Sequence, residues 1–182
     1  MAGPTSLIPN ALSLLRIALA PLAVYYLHQD AAGGWAATLV LMVAAGATDV
    51  LDGLAARTLG QSSRLGRILD PVADKVFIGA VGAGLVLWRG FPLWLLAAQL
   101  ARDVAIVGAG LFLLRSRRLV VSSSGLGKAA TWAMGFALLG ALMGGPGWIR
   151  QTTVWTAAAL LVLSSVDYLR VLYRIAGGTR RG

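Results

Sequence analysis

Long apolar stretches, interrupted by Gly, Pro and charged residues, follow one another along the whole chain. They predict six helices, at about 12–28, 35–57, 67–88, 92–115, 125–144 and 152–174. Each stretch is close to the ~20 residues that a helix needs to cross the hydrocarbon core of a bilayer. The pattern therefore predicts an all-α, polytopic membrane protein with six transmembrane helices.

The composition indicates the same class. Of 182 residues, 58% are hydrophobic and 13% are charged, which is unusual for a soluble domain of this length. Six spans joined by short turns use nearly the whole chain, so residues 1–182 are expected to form a single transmembrane domain. The Gly- and Arg-rich end at 176–182 is expected to be a flexible tail.

Basic residues are distributed unevenly over the connections between the predicted helices. The connections at 28–34, 89–91 and 144–151 contain only Arg89 and Arg150, and Trp and Tyr side chains flank them like an interfacial belt. The positive-inside rule therefore assigns the opposite side, with both termini, to the cytosol. That side collects Arg57, Arg64, Arg67, Arg115, Arg117, Arg118, Lys128, Arg174, Arg180 and Arg181.

The net charge of +9 is interpreted in terms of membranes rather than nucleic acid. In a chain of apolar spans, Arg and Lys fix the orientation and favour anionic lipid headgroups, so the expected partner is a lipid bilayer. The absence of Cys excludes disulfides and thiol chemistry. We expect a cell membrane location, in a bacterial inner membrane.

Acidic residues are rare and concentrated in one window. The chain has seven Asp and no Glu, and four of the Asp lie between positions 49 and 74. Separations of three and four residues place each pair on one side of a helix. The pairs end one predicted helix and open the next, so the short turn between them makes the two helices antiparallel neighbours. We therefore expect four site aspartates to converge at the cytosolic boundary: Asp49, Asp52, Asp70 and Asp74.

Four carboxylates near a membrane repel one another and lose hydration, so protons or cations must compensate them. Oxygen ligands without nearby His or Cys favour two Mg²⁺ or Mn²⁺ ions over zinc. Two-metal sites of this kind orient and neutralise a phosphoryl group during in-line displacement. Alternatively, the aspartates cap helices or pair with interfacial basic residues, but two periodic pairs in a chain nearly free of acid indicate a common cause. Those basic residues are Arg57, Arg64, Arg67 and Lys75.

The segment around the aspartates reads Asp49-Val-Leu-Asp52-Gly53-Leu-Ala-Ala56-Arg57, then eight residues, then Gly66-Arg-Ile-Leu-Asp70-Pro-Val-Ala-Asp74. It fills every defining position of DxxDGxxAR and GxxxDxxxD, and so resembles the CDP-alcohol phosphotransferase (CDP-alcohol phosphatidyltransferase) family. The resemblance implies a six-helix membrane enzyme, a homodimer, that transfers a phosphatidyl group from CDP-diacylglycerol to an alcohol and releases CMP. It also implies that the four site aspartates hold two metal ions and that Asp74 is the general base.

The same resemblance implies a set of residues that bind the CDP-lipid. The stretch from Pro9 to Arg16 looks like the family's N-terminal amphipathic segment, here residues 1–11, and its first helix. Alternatively, Asn10 only caps a helix, Gly53 and Gly66 only allow close helix packing, and Arg57 only anchors the chain at the membrane interface. Arg16 needs an anionic partner, which we favour, or a snorkelling path to the surface. The set is Asn10, Arg16, Gly53, Ala56, Arg57 and Gly66.

The acceptor pocket of this family lies near the start of the fifth helix, where many members have a GKxKT-like motif. This chain has Gly127-Lys128-Ala-Ala-Thr131, so the second Lys is missing. The depleted motif favours phosphatidylglycerol, the acceptor of cardiolipin synthases, over glycerol 3-phosphate, the acceptor of phosphatidylglycerophosphate synthases. Inositol phosphate is the third choice. The residues that the resemblance assigns to the acceptor are Arg115, Arg117, Arg118 and Lys128.

Two further polar features lie inside predicted spans. Arg102 and Asp103 resemble the corresponding stretch of cardiolipin synthases, although such a pair also serves to join helices. Asp167, beside Ser164 and Tyr168, is expected to form interhelical hydrogen bonds.

The main rival function is a transporter for divalent cations. It accounts for the metal ligands, but it leaves the fixed offsets of Gly53, Arg57 and Gly66 unexplained.

Overall fold

The structure is a computed structural model that describes residues 7–29, 33–59, 66–117 and 125–177, with side chains described for 11–29, 33–48, 72–110 and 125–173. The described chain is helical and contains no strand, which confirms the all-α prediction. Its six helices are α1 Leu7–His28, α2 Gly34–Leu59, α3 Gly66–Arg89, α4 Leu93–Arg117, α5 Gly125–Met143 and α6 Gly147–Gly177.

The helix boundaries differ most from the sequence expectation at the starts of α1 and α6, which begin at Leu7 and Gly147. Apolar periodicity marks the part of a helix that lies in lipid, whereas backbone hydrogen bonds carry the helix beyond it. At α6, the Pro146 carbonyl accepts hydrogen bonds from the amides of Ile149 (2.9 Å) and Arg150 (3.3 Å). The helix therefore starts directly after the proline, ahead of the apolar stretch.

Four helices contain stretches that are long and apolar enough to cross a membrane among the residues described: Ala11–His28, Leu93–Gly110, Gly125–Met143 and Gly147–Tyr173. A shorter apolar stretch, Gly34–Thr48, belongs to α2. The chain is therefore a membrane protein by helix length and composition.

The helices form two compact units, Met1–Phe91 and Pro92–Gly182. In the first, α1 packs against both α2 and α3. The α1 residues that are buried recur every three or four positions, as expected for one face of a helix. Towards its C-terminus, this face approaches α3 so closely that a Cβ at Gly84 would lie 2.7 Å from Leu27 Cδ2. The buried face consists of Ser13, Arg16, Ala20, Ala23 and Leu27.

Glycines make the tight connections of the first unit possible. Gly33 has φ 79°, and a Cβ at Gly34 would lie 2.0 Å from the Tyr26 carbonyl oxygen, so the turn from α1 to α2 has no room for a side chain there. Gly90 ends α3 with φ 63°. The following amide, that of Phe91, donates to the Leu85 carbonyl at 3.1 Å, which satisfies a carbonyl in the last turns of the helix.

In the second unit, α5 packs against α6 through small residues. A Cβ at Gly140 would lie 3.2 Å from Thr153 Oγ1, so the two backbones approach closely near the α5–α6 turn. Helix α4 also contacts α6, with the Trp94 and Trp155 ring centroids 6.0 Å apart. The buried apolar residues of the α5–α6 pair include Ala130, Met134, Ala137, Leu138, Ala141, Leu142, Val154, Ala157 and Leu161.

Candidate active site

The four site aspartates lie on two consecutive helices, α2 and α3. Asp49 and Asp52 lie in the last three turns of α2, and Asp70 and Asp74 lie in the first turns of α3. With a rise of 1.5 Å per residue, Asp52 and Asp74 lie about 10 and 12 Å from the helix ends that the connection joins. Helices α2 and α3 contact each other. The backbone thus brings both pairs to the same end of the first unit.

Asp74 is the site aspartate whose side chain falls within the described set. It is half-buried, with 27% of the side chain exposed, and its Oδ2 lies 3.4 Å from Lys75 Nζ. The preceding residue, Ala73, is fully buried. Asp74 therefore lies at the edge of the packed interior, where its carboxylate is open to a ligand from outside the unit.

The chemistry of the donor set fits a hard divalent cation. The site offers carboxylate oxygens, and His28, the single histidine, lies far from it at the other end of α1, with its ring centroid 5.0 Å from that of Trp88. Where side chains are described, no group of three or more His, Cys, Asp or Glu residues lies close enough to hold a metal ion. The side chains of Asp49, Asp52 and Asp70 fall outside that range, so convergence of the four carboxylates stays a prediction.

Arg16 is buried inside α1, with 1% of the residue exposed, and Ser13 one turn earlier is fully buried. Burial excludes the snorkelling alternative, because a guanidinium that reached the surface would be exposed. Arg16 and Asp74 each interact with other groups of the protein. The structure thus favours the alternative in which this cation has a partner.

The other residues of the predicted CDP-lipid set lie in helices, and their side chains are outside the described set. Asn10 lies within α1, in a helix that begins at Leu7, so it is not the N-cap residue of that helix. Gly53, Ala56 and Arg57 lie on α2 after Asp52, and Gly66 is the first residue of α3.

The predicted acceptor residues belong to the second unit. Arg115 and Arg117 lie in the last turns of α4, Arg118 falls outside the described residues, and Lys128 is exposed in the first turn of α5. Thr131, the last residue of the shortened motif, donates its hydroxyl to the Gly127 carbonyl at 3.2 Å. That hydroxyl therefore caps a carbonyl of its own helix.

A buried polar network joins α4 to α6 in the second unit. Asp103 Oδ1 lies 3.1 Å from Arg102 Nη1, and Arg102 Nη2 donates to the hydroxyl of Ser164 on α6. Tyr168 donates to the Ile106 carbonyl at 3.2 Å, so Ser164 and Tyr168, the predicted neighbours of Asp167, form the interhelical bonds. Sequence reasoning missed Gln99, whose Nε2 donates to Asp103 Oδ2 at 3.0 Å. Its spacing of four from Asp103 on an apolar helix was the available signal.

Comparison with known proteins gives one consistent result. A family model described as CDP-alcohol phosphatidyltransferase matches residues 6–163. A probable phosphatidylglycerophosphate synthase of Mycobacterium tuberculosis is 33% identical over 180 residues, which cover 94% of this chain and 84% of that relative. A CMP-forming cardiolipin synthase of Streptomyces coelicolor is 38% identical over 150 residues, covering 79% and 69%.

A third relative extends this similarity beyond these two bacteria. A CDP-diacylglycerol–glycerol-3-phosphate 3-phosphatidyltransferase of Aquifex aeolicus is 36% identical over 174 residues, covering 92% of this chain and 84% of that relative. The family match covers α1 to α5 and ends within α6, and the motif residues lie at the C-terminal end of α2 and the N-terminal end of α3. The chain belongs to the CDP-alcohol phosphatidyltransferase family.

Proposed function

We propose that the protein transfers the phosphatidyl group of CDP-diacylglycerol to a glycerol-type alcohol, with phosphatidylglycerol as the acceptor and CMP as the leaving product. The observation that carries this proposal is the complete motif at the facing ends of α2 and α3, in a chain that the family model matches over residues 6–163. The whole chain would act as one catalytic domain of six transmembrane helices.

The four site aspartates, Asp49, Asp52, Asp70 and Asp74, would hold two divalent cations, Mg²⁺ or Mn²⁺. Such cations, when bound, orient the diphosphate and neutralise its charge. Helical spacing supports this assignment, because positions three or four apart share one side of a helix. The partial exposure of the Asp74 carboxylate also supports it, since a ligand must reach the site from outside the packed helices.

Asp74 would act as the general base. Its carboxylate accepts the proton of the acceptor hydroxyl while that oxygen attacks the lipid-side phosphorus of CDP-diacylglycerol. A new P–O bond forms, the bond to the CMP oxygen breaks, and the electron pair leaves with CMP. The Lys75 ammonium lies 3.4 Å from this carboxylate.

The remaining site residues would bind the two substrates. The CDP-lipid set is Asn10, Arg16, Gly53, Ala56, Arg57 and Gly66, where glycines admit the nucleotide to the backbone and Arg57 offers a planar fork to a phosphate. The acceptor set is Arg115, Arg117, Arg118 and Lys128. Exposure of Lys128 supports its place in that set, because an ammonium group that binds a headgroup must be reachable.

Glycerol 3-phosphate is the second candidate acceptor. It is favoured by the Mycobacterium tuberculosis relative, a probable phosphatidylglycerophosphate synthase that matches over 94% of this chain. Phosphatidylglycerol is favoured by the missing second Lys of the Gly127–Thr131 motif and by the Streptomyces coelicolor relative, a cardiolipin synthase. Inositol phosphate is third, and a divalent-cation transporter is the non-enzymatic alternative.

The active site would face the cytosol of a bacterial inner membrane, with both chain termini on that side. The concentration of basic residues in the connections next to the motif supports this orientation. The protein would act as a homodimer, in keeping with the resemblance of its motif to the family.

The proposal is tested by CMP release from CDP-diacylglycerol with purified protein and Mg²⁺ or Mn²⁺. Phosphatidylglycerol, glycerol 3-phosphate and inositol phosphate are supplied in separate reactions, and EDTA replaces the cation in a parallel series. We expect cation-dependent CMP release with phosphatidylglycerol and at least ~10-fold less with the other acceptors, a discrimination that one lost headgroup contact readily provides. Absence of CMP with every acceptor would reject the enzymatic function, and a preference for glycerol 3-phosphate would reverse the order of acceptors.

A further inference from the structure

Arg16 occupies a position where a charged side chain is costly. It belongs to the buried face of α1 and is 1% exposed, between Ser13 and Ala20, which are 0% and 2% exposed. A guanidinium removed from water is tolerated only when opposite charge and hydrogen bonds compensate it. Its surroundings must therefore supply anionic groups, and the helix register indicates which ones.

The register between α1 and α3 is set by contacts at their C-terminal ends. Leu27 lies against Gly84, and the ring of His28 lies 5.0 Å from that of Trp88. Because the C-terminal ends meet and the two helices pack against each other, α1 and α3 run parallel. Equal steps back along both helices from the Leu27–Gly84 contact therefore reach equal depths.

Eleven residues back, about 16 Å at 1.5 Å per residue, Arg16 is level with Ala73. Ala73 is 0% exposed and forms the buried face of α3 together with Phe77 and Val81. Arg16 likewise belongs to the buried face of α1. Ala73 follows Asp70 by three residues and immediately precedes Asp74. Since α-helical side chains lean towards the N-terminus, the guanidinium is directed to the depth of Asp70.

We infer that Arg16 is a positioning residue that lies beside the site aspartates, at the depth of Asp70, and offsets their mutual repulsion with a fixed positive charge. It acts through Asp70 and Asp74 rather than by touching the CDP-lipid, which refines its place in the predicted CDP-lipid set. The inference rests on the proposed function, because the carboxylates matter only if they form one site. In the cation-free protein, Arg16 is then a fixed compensating charge inside the packed helices, in addition to the Lys75 ammonium next to Asp74.

The consequence is a measurable link between Arg16 and cation binding. Without its charge, the carboxylates of the cation-free protein repel one another more strongly, and added cations relieve a larger repulsion. We expect Arg16→Gln to lower the thermal unfolding midpoint in EDTA and to enlarge the rise caused by Mg²⁺ or Mn²⁺ by about 2–4 °C. Arg16→Lys keeps the charge and should keep a rise close to that of the wild type.

Arg89→Gln is the matched control, since it removes a positive charge from the other end of α3 and should leave the cation-induced rise unchanged. A rise in Arg16→Gln equal to that of the wild type would overturn the inference. An unchanged cation-induced rise in Arg16→Gln, together with a raised KM for CDP-diacylglycerol, would assign Arg16 to direct contact with the lipid substrate instead. If Arg16→Gln does not fold, adding Asp74→Asn should restore folding by removing one repelling charge, and failure to do so counts against the inference.

The proposed function and the inference fail in different ways. A wild-type protein without any cation-induced rise and without CMP release contradicts the metal site itself. A wild-type protein with both, but with an identical cation-induced rise in Arg16→Gln, contradicts the role of Arg16 alone.

Discussion

At the scale of single residues, Asp74 combines two properties that a general base needs. Its carboxylate is half-buried next to the fully buried Ala73, so packing of the helix fixes its position. Its exposed part, paired with Lys75 at 3.4 Å, remains open to an incoming hydroxyl. These two properties fit the proposed role, which requires a fixed yet reachable proton acceptor.

Asp74→Asn is expected to reduce CMP release by at least ~100-fold, because an amide cannot take up the hydroxyl proton. The thermal unfolding midpoint should change little, since the amide is nearly isosteric with the carboxylate and the side chain is partly exposed. Asp30→Asn, in the predicted outer connection, serves as the control and should keep wild-type turnover. An Asp74→Asn protein with wild-type activity would remove Asp74 from the general-base role.

At the scale of elements, α4 and α6 are joined by polar bonds within apolar helices. Asp103 is 5% exposed, Arg102 is 11% exposed, and the guanidinium reaches Ser164 on the facing helix. The side-chain amide of Gln99 donates a hydrogen bond to the other carboxylate oxygen, so both oxygens of Asp103 have partners. In lipid, apolar surface gives little drive for helix association, and such bonds together with small-residue packing decide which helices pair.

Asp103→Asn should lower the stability of the protein by about 3 kcal/mol, because it leaves the Arg102 charge buried without its counterion. The double substitution Arg102→Gln/Asp103→Asn removes both charges and should recover more than half of that loss. Thermal unfolding in detergent measures each variant, and the two single substitutions complete the cycle. Strictly additive effects would show that the pair is not coupled.

At the scale of the whole molecule, the distribution of basic residues predicts the orientation of the chain. The connection between α4 and α5 begins with Arg118, directly after Arg115 and Arg117 at the end of α4, whereas the connection between α1 and α2 contains no Lys or Arg. The positive-inside rule assigns the first to the cytosol and the second to the outside. Both termini would then be cytosolic, and the proposed active site would face the same compartment.

The absence of Cys from the sequence makes this orientation directly testable. In intact cells, a membrane-impermeant thiol reagent should label an Ala31→Cys variant and leave a Ser122→Cys variant unlabelled until the membrane is permeabilised. The two positions lie in the α1–α2 and α4–α5 connections, so each reports one side. The reverse labelling pattern would show that the charge rule assigns the wrong face.

Much of this fold was predictable from the sequence, because its strongest signals are local. Six apolar stretches gave six helices, and the spacing of the site aspartates put each pair on one helix. The starts of α1 and α6 were not predictable from apolar periodicity, since turn hydrogen bonds such as those to the Pro146 carbonyl carry a helix past its apolar part. Nor did periodicity reveal that Arg102 would donate to Ser164, because hydrogen bonds between different helices depend on which faces meet.

The sequence by itself determined the class of protein, its helices and its family, since helix length, apolar content and motif spacing are properties of consecutive residues. Only the tertiary structure decided the surroundings of each polar side chain. It placed Arg16 in the buried face of α1, where 1% of the residue is exposed. It also set the contact of Leu27 with Gly84, which fixes the register of α1 against α3. The reason is physical: burial and register arise from packing between helices distant in sequence, which no local pattern encodes.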